Sequence, residues 1–157
     1  MKLLFKQRLF SWFDSYDIFD EQGNKVYTVK GELSWGHLLR IYDAHGNLLG
    51  SIKEKVFAFL PKFEMYLGEE YLGFIQKEFT IFKPRFNVEC KGWTVKGELG
   101  EWDYEIFDRY EEKIATISKE IFRLADTYVI DVRYPRDALC VLMLALAIDA
   151  EKCSRRD

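Results

Sequence analysis

The chain contains two histidines, His37 beside Trp35-Gly36 and His45 beside Gly46, so imidazole acid–base chemistry or metal ligation would have to be built on them. Both read as solvent-facing turn residues, which leaves neither a partner in catalysis. Cys90, Cys140 and Cys153 form no C-x-x-C pair. A Cys90–histidine nucleophile pair has no local signature, and Cys90 reads as a structural strand cysteine. Carboxylates are abundant, among them Asp17, Asp20, Asp43, Glu69, Glu70, Glu111 and Glu112, but they fall at turns or on the polar side of strands, where solubility accounts for them. No glycine-rich phosphate loop is present. The expectation is a non-enzyme with no catalytic residues, no metal and no cofactor.

The remaining chemistry is cationic. Lys53, Lys55 and Lys62 flank Val56-Phe57-Ala58-Phe59-Leu60, and Lys77, Lys83 and Arg85 flank Phe79 to Phe82. Cations next to aromatics suit an anionic interface, since the rings and lysine stems can settle at head-group level while the ammonium meets phosphate. Lys53, Lys55, Lys62, Lys83 and Arg85 are therefore the candidate residues for an anion or lipid head group. The competing account makes them outward-facing strand lysines that guard edges against aggregation.

Whole-molecule charge limits such a site to a local patch. Net charge is −3 and the isoelectric point about 5.5, so nucleic acid phosphates and anionic membranes repel the molecule as a whole. Nucleic acid is excluded as a partner; an anionic lipid, a phosphorylated small ligand or a protein remains. An odd cysteine count, with Cys140 inside an apolar run, fits a reducing cytoplasm. Lys6 and Arg8 interrupt the apolar start, so no export signal is expected. The location expected is cytoplasmic, with peripheral attachment to a membrane if lipid is the ligand.

Internal repeats reveal what must position these residues. Tyr16 to Lys30 aligns without gaps with Leu39 to Lys53, each an apolar run, an Asp, two residues, Gly-Asn and a second apolar run. Gly and Asn both tolerate positive φ, so Gly23-Asn24 and Gly46-Asn47 mark hairpin turns. Phe63 to Ile75 repeats the pattern more weakly, Tyr104 to Ile117 repeats it again, and Thr28-Val29-Lys30-Gly31-Glu32-Leu33 recurs as Thr94 to Leu99. Asp20, Asp43 and Asp108, at one place in each hairpin, are expected to bond nearby backbone amides. With Phe79 to Phe82, Phe86 to Cys90 and Tyr128 to Val132, about a dozen strands are predicted over residues 1–157, with no linker and a single domain. Aromatic content of 17% and apolar content of 48% suit a β-rich core.

One segment departs from this pattern. Asp137 to Lys152 is composed of strong helix formers, with Asp137 placed to cap its start. Ala138 to Ile148 is apolar throughout, so the helix has no polar face and must be surrounded. Those residues reach only about 17 Å against a hydrocarbon core of about 30 Å, which favours burial in protein over a transmembrane span. A helix inside a barrel too wide for its own side chains meets the requirement.

Several motifs together carry a family resemblance: the Ile-Phe/Tyr-Asp-x-x-Gly-Asn hairpins, Ile117-Ser118-Lys119-Glu120, Tyr128-Val129-Ile130, and the Leu-x-Leu-Ala-x-Ala-Ile-Asp run of Leu142 to Asp149. Over nearly its whole length the chain resembles a prokaryotic LURP-one-related protein, within the superfamily of tubby C-terminal domains and phospholipid scramblases. The resemblance implies a closed barrel of about twelve antiparallel strands around a central hydrophobic C-terminal helix. It also implies a binding module, because tubby domains hold phosphoinositide head groups at a basic surface. No family catalytic residue carries over. The alternatives left are a protein-interaction scaffold presenting Trp12, Trp35, Trp93 or Trp102, and an enzyme with an unrecognised site.

Overall fold

The computed structural model describes residues 1–6, 15–34, 36–56, 60, 62–78, 85–97, 103–122 and 125–153. Strands β1 (Lys2–Lys6), β2 (Ser15–Asp20), β3 (Lys25–Ser34), β4 (Gly36–Asp43), β5 (Leu48–Lys55) and β6 (Lys62–Leu67) form its first half. They are followed by β7 (Glu70–Glu78), β8 (Arg85–Cys90), β9 (Thr94–Gly97), β10 (Tyr104–Phe107), β11 (Lys113–Phe122) and β12 (Ala125–Val132). A 3-10 turn at Pro135–Asp137 leads into α1 (Ala138–Cys153). All twelve strands lie in one antiparallel sheet ordered 8-7-6-5-4-3-2-1-12-11-10-9. Chain neighbours are thus sheet neighbours, β1 pairs with β12 from Lys2↔Asp131 to Lys6↔Thr127, and β8 and β9 are the two ends. The mostly β architecture with one C-terminal helix agrees with the sequence, whereas ladder pairing does not join β8 to β9 among the described residues.

Why the hairpins form is visible in their turns. Asp20 Oδ1 accepts from the backbone N–H of Gln22 at 2.9 Å and of Asn24 at 2.8 Å; Asp43 Oδ1 accepts from His45 and Asn47, both at 2.8 Å. Asp108 repeats this with Tyr110 at 2.8 Å and Glu112 at 2.9 Å, so one carboxylate satisfies two turn amides each time. The Gly-Asn pair divides its work in a way the sequence did not show. Gly23 (φ 84) and Gly46 (φ 87) take the left-handed position, while the Asn24 and Asn47 side chains donate to the second oxygen of the aspartate at 3.1 and 2.8 Å. The strands shift register just before each of these turns, as expected of a three-residue loop closed by a bulge.

The third turn places Glu111 where the other two have glycine, at φ 61. A side chain there costs about 1–2 kcal/mol, partly offset because glycine gives the unfolded chain more freedom. Glu111→Gly is therefore expected to stabilise the protein by about 0.5–1 kcal/mol and raise Tm by about 2 °C; scanning calorimetry showing a lower Tm would contradict the turn geometry.

Alternation along the strands points Leu39, Ile41, Ile52, Phe63, Met65, Ile75, Ile130 and Val132 inward, all at most 2% exposed, against α1. From Val141 to Glu151 no helix residue exceeds 4% exposure, and α1 packs on β5, β6, β7 and β12, so the sheet curves around it. Close approach is built in at Gly50 on β5, where a Cβ would lie 2.8 Å from the Tyr66 carbonyl and 3.3 Å from the Met143 sulfur. Burial extends beyond the apolar run: Asp149 and Glu151 are 1% and 0% exposed, and the Tyr128 hydroxyl donates to Asp149 Oδ1 at 3.1 Å. The buried phenol thereby meets a buried carboxylate at the far end of the helix. No helix among the described residues is long and apolar enough to cross a membrane.

Candidate functional site

On β5 the buried residues are Gly50 and Ile52, and on β6 they are Phe63 and Met65. Ser51, Lys53 and Lys55 therefore face outward beside Lys62, Glu64 and Tyr66. Register sets Lys53 opposite Glu64 and Lys55 opposite Lys62. On the other side β7 contributes Phe74, opposite Glu64 in register. Three of the five cations named from the sequence, Lys53, Lys55 and Lys62, thus share one outer face. Lys83 lies outside the described residues, as do Phe57 to Phe59 and Phe79 to Phe82. Arg85 opens β8 opposite Glu78 of β7, two strands from Lys62.

A residue not anticipated from sequence organises this face. Glu64 takes Lys55 at 3.3 Å and Lys62 at 3.7 Å, and the Tyr66 hydroxyl donates to its Oε2 at 2.6 Å. The Glu64 side chain is only 13% exposed, against 44% for Lys55 and 28% for Lys62. Lys62 Nζ also lies 4.2 Å from the centre of the Phe74 ring, and the Tyr66 and Tyr71 rings meet edge-on at 5.6 Å. Cations, aromatic faces and one fixed carboxylate form a polar surface with an apolar margin. A signal for it was present in Lys62-x-Glu64-x-Tyr66, since period two puts all three on one side of a strand.

Electrostatics follows the geometry. Burial pushes the Glu64 carboxyl up, but the Tyr66 hydroxyl and the two lysines outweigh it and hold the group below its ordinary 4.5. Tyr66 is pushed up to about 12, by its hydrogen bond to Glu64 first and by burial and charge after that. A phenol raised in the folded state stabilises the fold below its ordinary 10.0 and loses that contribution as pH climbs through about 12. Glu64, depressed, contributes above 4.5 and loses it as pH falls. Glu64→Gln is expected to bring Tyr66 ionisation back toward 10.0, read as phenolate absorbance in a difference titration against Tyr66→Phe. An unmoved titration would show that the hydrogen bond is absent in solution.

The other groups with potential chemistry are structural or isolated. His37 is not a solvent-facing turn residue: it sits half-buried on β4, its backbone N–H donates to Glu54 Oε2 at 3.0 Å, and its Nε2 is 3.7 Å from the same oxygen. His45 does occupy an exposed turn. Cys90 and Cys140 are buried free thiols, and burial pushes Cys90 up to about 12 and Cys140 upward, which disfavours a thiolate nucleophile. Trp93 is 8% exposed and packs in the core; Trp12, Trp35 and Trp102 lie outside the described residues. Among the described residues no group of three or more His, Cys, Asp or Glu could hold a metal ion.

Comparison with known proteins places this geometry in context. A family model described as LURP-one-related matches residues 1–149. Uncharacterized protein YxjI of Bacillus subtilis (strain 168) is 27% identical over 150 residues, covering 95% of this chain and 92% of that protein. A protein from Arabidopsis thaliana known from an X-ray structure superposes with a TM-score of 0.63, covering 94% of this chain and 89% of that one. Its 14% identity makes that a likeness of fold alone.

Proposed function

The chain belongs to the LURP-one-related family, and from that premise we propose that it is a non-enzymatic, single-domain binding module for anionic lipid head groups. Its binding surface is the outer face of β5, β6 and β7. The observation that carries this reading is the gathering of Lys53, Lys55 and Lys62 on adjacent strands beside Tyr66, Tyr71 and Phe74. Tyr71 is 47% exposed and supplies the amphipathic ring that settles at a head-group boundary. A net charge of −3 then makes binding local and salt-sensitive. Phosphoinositides are the preferred lipid, and the protein works in the cytoplasm at the membrane periphery.

The same proposal takes the sheet to close between β8 and β9. Lys91 (φ 50) and Gly92 (φ 70) both have positive φ, and the Trp93 N–H donates to the Cys90 carbonyl at 2.7 Å. This is the signature of a two-residue hairpin turn whose twist suits paired strands. A protein-interaction scaffold is the second reading, favoured by Tyr110, which is 81% exposed at the tip of the turn held by Asp108.

Co-sedimentation with phosphatidylcholine, phosphatidylserine and phosphoinositide vesicles at low and high salt tests the first reading. Binding to anionic vesicles that salt weakens is the expected result. Binding of soluble inositol phosphates without vesicle association would replace lipid by a free phosphorylated ligand; no association with either would overturn the reading and leave the scaffold.

A further inference from the structure

Two of the three lysines on the cationic face of β5 and β6 are already engaged by a carboxylate. Lys55 and Lys62, from two different strands, both turn onto Glu64 at 3.3 and 3.7 Å. The Tyr66 hydroxyl at 2.6 Å fixes the carboxylate where both lysines reach it. With the side chain 13% exposed, Glu64 is a positioned charge rather than a mobile surface one. Lys53 stands opposite Glu64 in the strand register. An anion reaching this face must draw lysines away from a partner tethered within contact distance, whereas no such competitor acts on an unpaired lysine.

We infer that Glu64 is a built-in competitor for the anionic ligand, an autoinhibitory contact that holds Lys55 and Lys62 closed and sets the affinity of the surface. This rests on the anionic-ligand reading above and adds to it a residue that opposes binding. Neutralising Glu64 frees two lysines to extend toward the ligand and removes one negative charge from its vicinity. Both changes act in the same direction, tightening association by about fivefold and steepening its salt dependence.

The test measures binding of the full chain to phosphoinositide vesicles and to inositol hexakisphosphate for the unaltered protein, Glu64→Gln and Glu64→Asp. Glu64→Gln is expected to bind about fivefold tighter, and Glu64→Asp, which keeps the charge, within about twofold of the unaltered protein. Equal or weaker binding by Glu64→Gln, with the unaltered protein binding, would overturn the competitor while leaving the binding surface in place. No binding by any of the three would overturn the surface and the competitor together. Should Glu64→Gln fold poorly by circular dichroism, the ammonium signals of Lys55 and Lys62 in the unaltered protein decide the matter. They are assigned through single Lys→Arg variants and are expected to shift as inositol hexakisphosphate binds; binding without any shift would overturn the inference.

Discussion

Leu142→Ala is expected to cost about 3–4 kcal/mol and lower Tm by about 10 °C, measured by denaturant and thermal unfolding. Leu142 is 0% exposed, in the middle of a helix whose neighbours Val141, Met143 and Leu144 are equally buried. Packing is close around it, as the Met143 sulfur 3.3 Å from the Cβ position of Gly50 shows, so the surroundings cannot collapse freely into the vacated volume. The loss is a large share of the 5–15 kcal/mol typical of whole domains. The same burial predicts slow amide exchange from Leu139 to Ile148, because the helix can open only when the sheet around it does. A cost below about 1 kcal/mol would mean that α1 does not fill the core, and the enclosing sheet would lose its reason to curve.

That helix was legible in the sequence because an apolar run with no polar face admits few environments, and its length settled the choice between lipid and protein. The hairpins were legible for a similar reason: Asp20, Asp43 and Asp108 recur at one place, and a carboxylate followed by turn amides has one geometry that satisfies both. The helix's inner end was not legible. Asp149 follows the apolar run as a charged residue with nothing nearby in the chain to mark it as buried, yet it and Glu151 are buried, and the Tyr128 hydroxyl that meets Asp149 lies on β12, 21 residues away in the chain. Periodicity reports which side of an element a residue takes, not what the facing element offers it.

The candidate site divides along the same line. Local spacing was enough to single out Lys53, Lys55 and Lys62, and alternation was enough to turn them outward. What surrounds them depends on the register of β5 with β6 and of β6 with β7, which sets Lys53 and Phe74 opposite Glu64. His37 makes the same point, since its partner Glu54 comes from β5 and no pattern near Trp35-Gly36 announces it. Register depends on bulges such as those at Ile41/Tyr42 and Met65/Tyr66, single-residue events that reverse which side faces out. The sequence thus identified the cations, and the strand pairing supplied the carboxylate that restrains them.

Replacing Lys53, Lys55 and Lys62 together with alanine should weaken association with phosphoinositide vesicles by about a hundredfold, since each lysine near an anionic surface contributes about 1 kcal/mol. The fold should survive. Lys55 and Lys62 make partly exposed ion pairs, which contribute at most about 1 kcal/mol each, and Glu64 keeps the Tyr66 hydroxyl. Melting temperature should therefore fall by only a few degrees, far less than for Leu142→Ala. A loss of net charge alone could mimic the effect, so the control removes Lys25, Lys30 and Lys96 instead. These lie on β3 and β9, away from the β5–β6 face, and their removal changes the net charge by the same amount. Binding lost only in the first triple variant places the ligand on the β5–β6 face. Equal losses in both would reduce the interaction to long-range attraction without a site, and undiminished binding in the first would remove these lysines from the ligand's path.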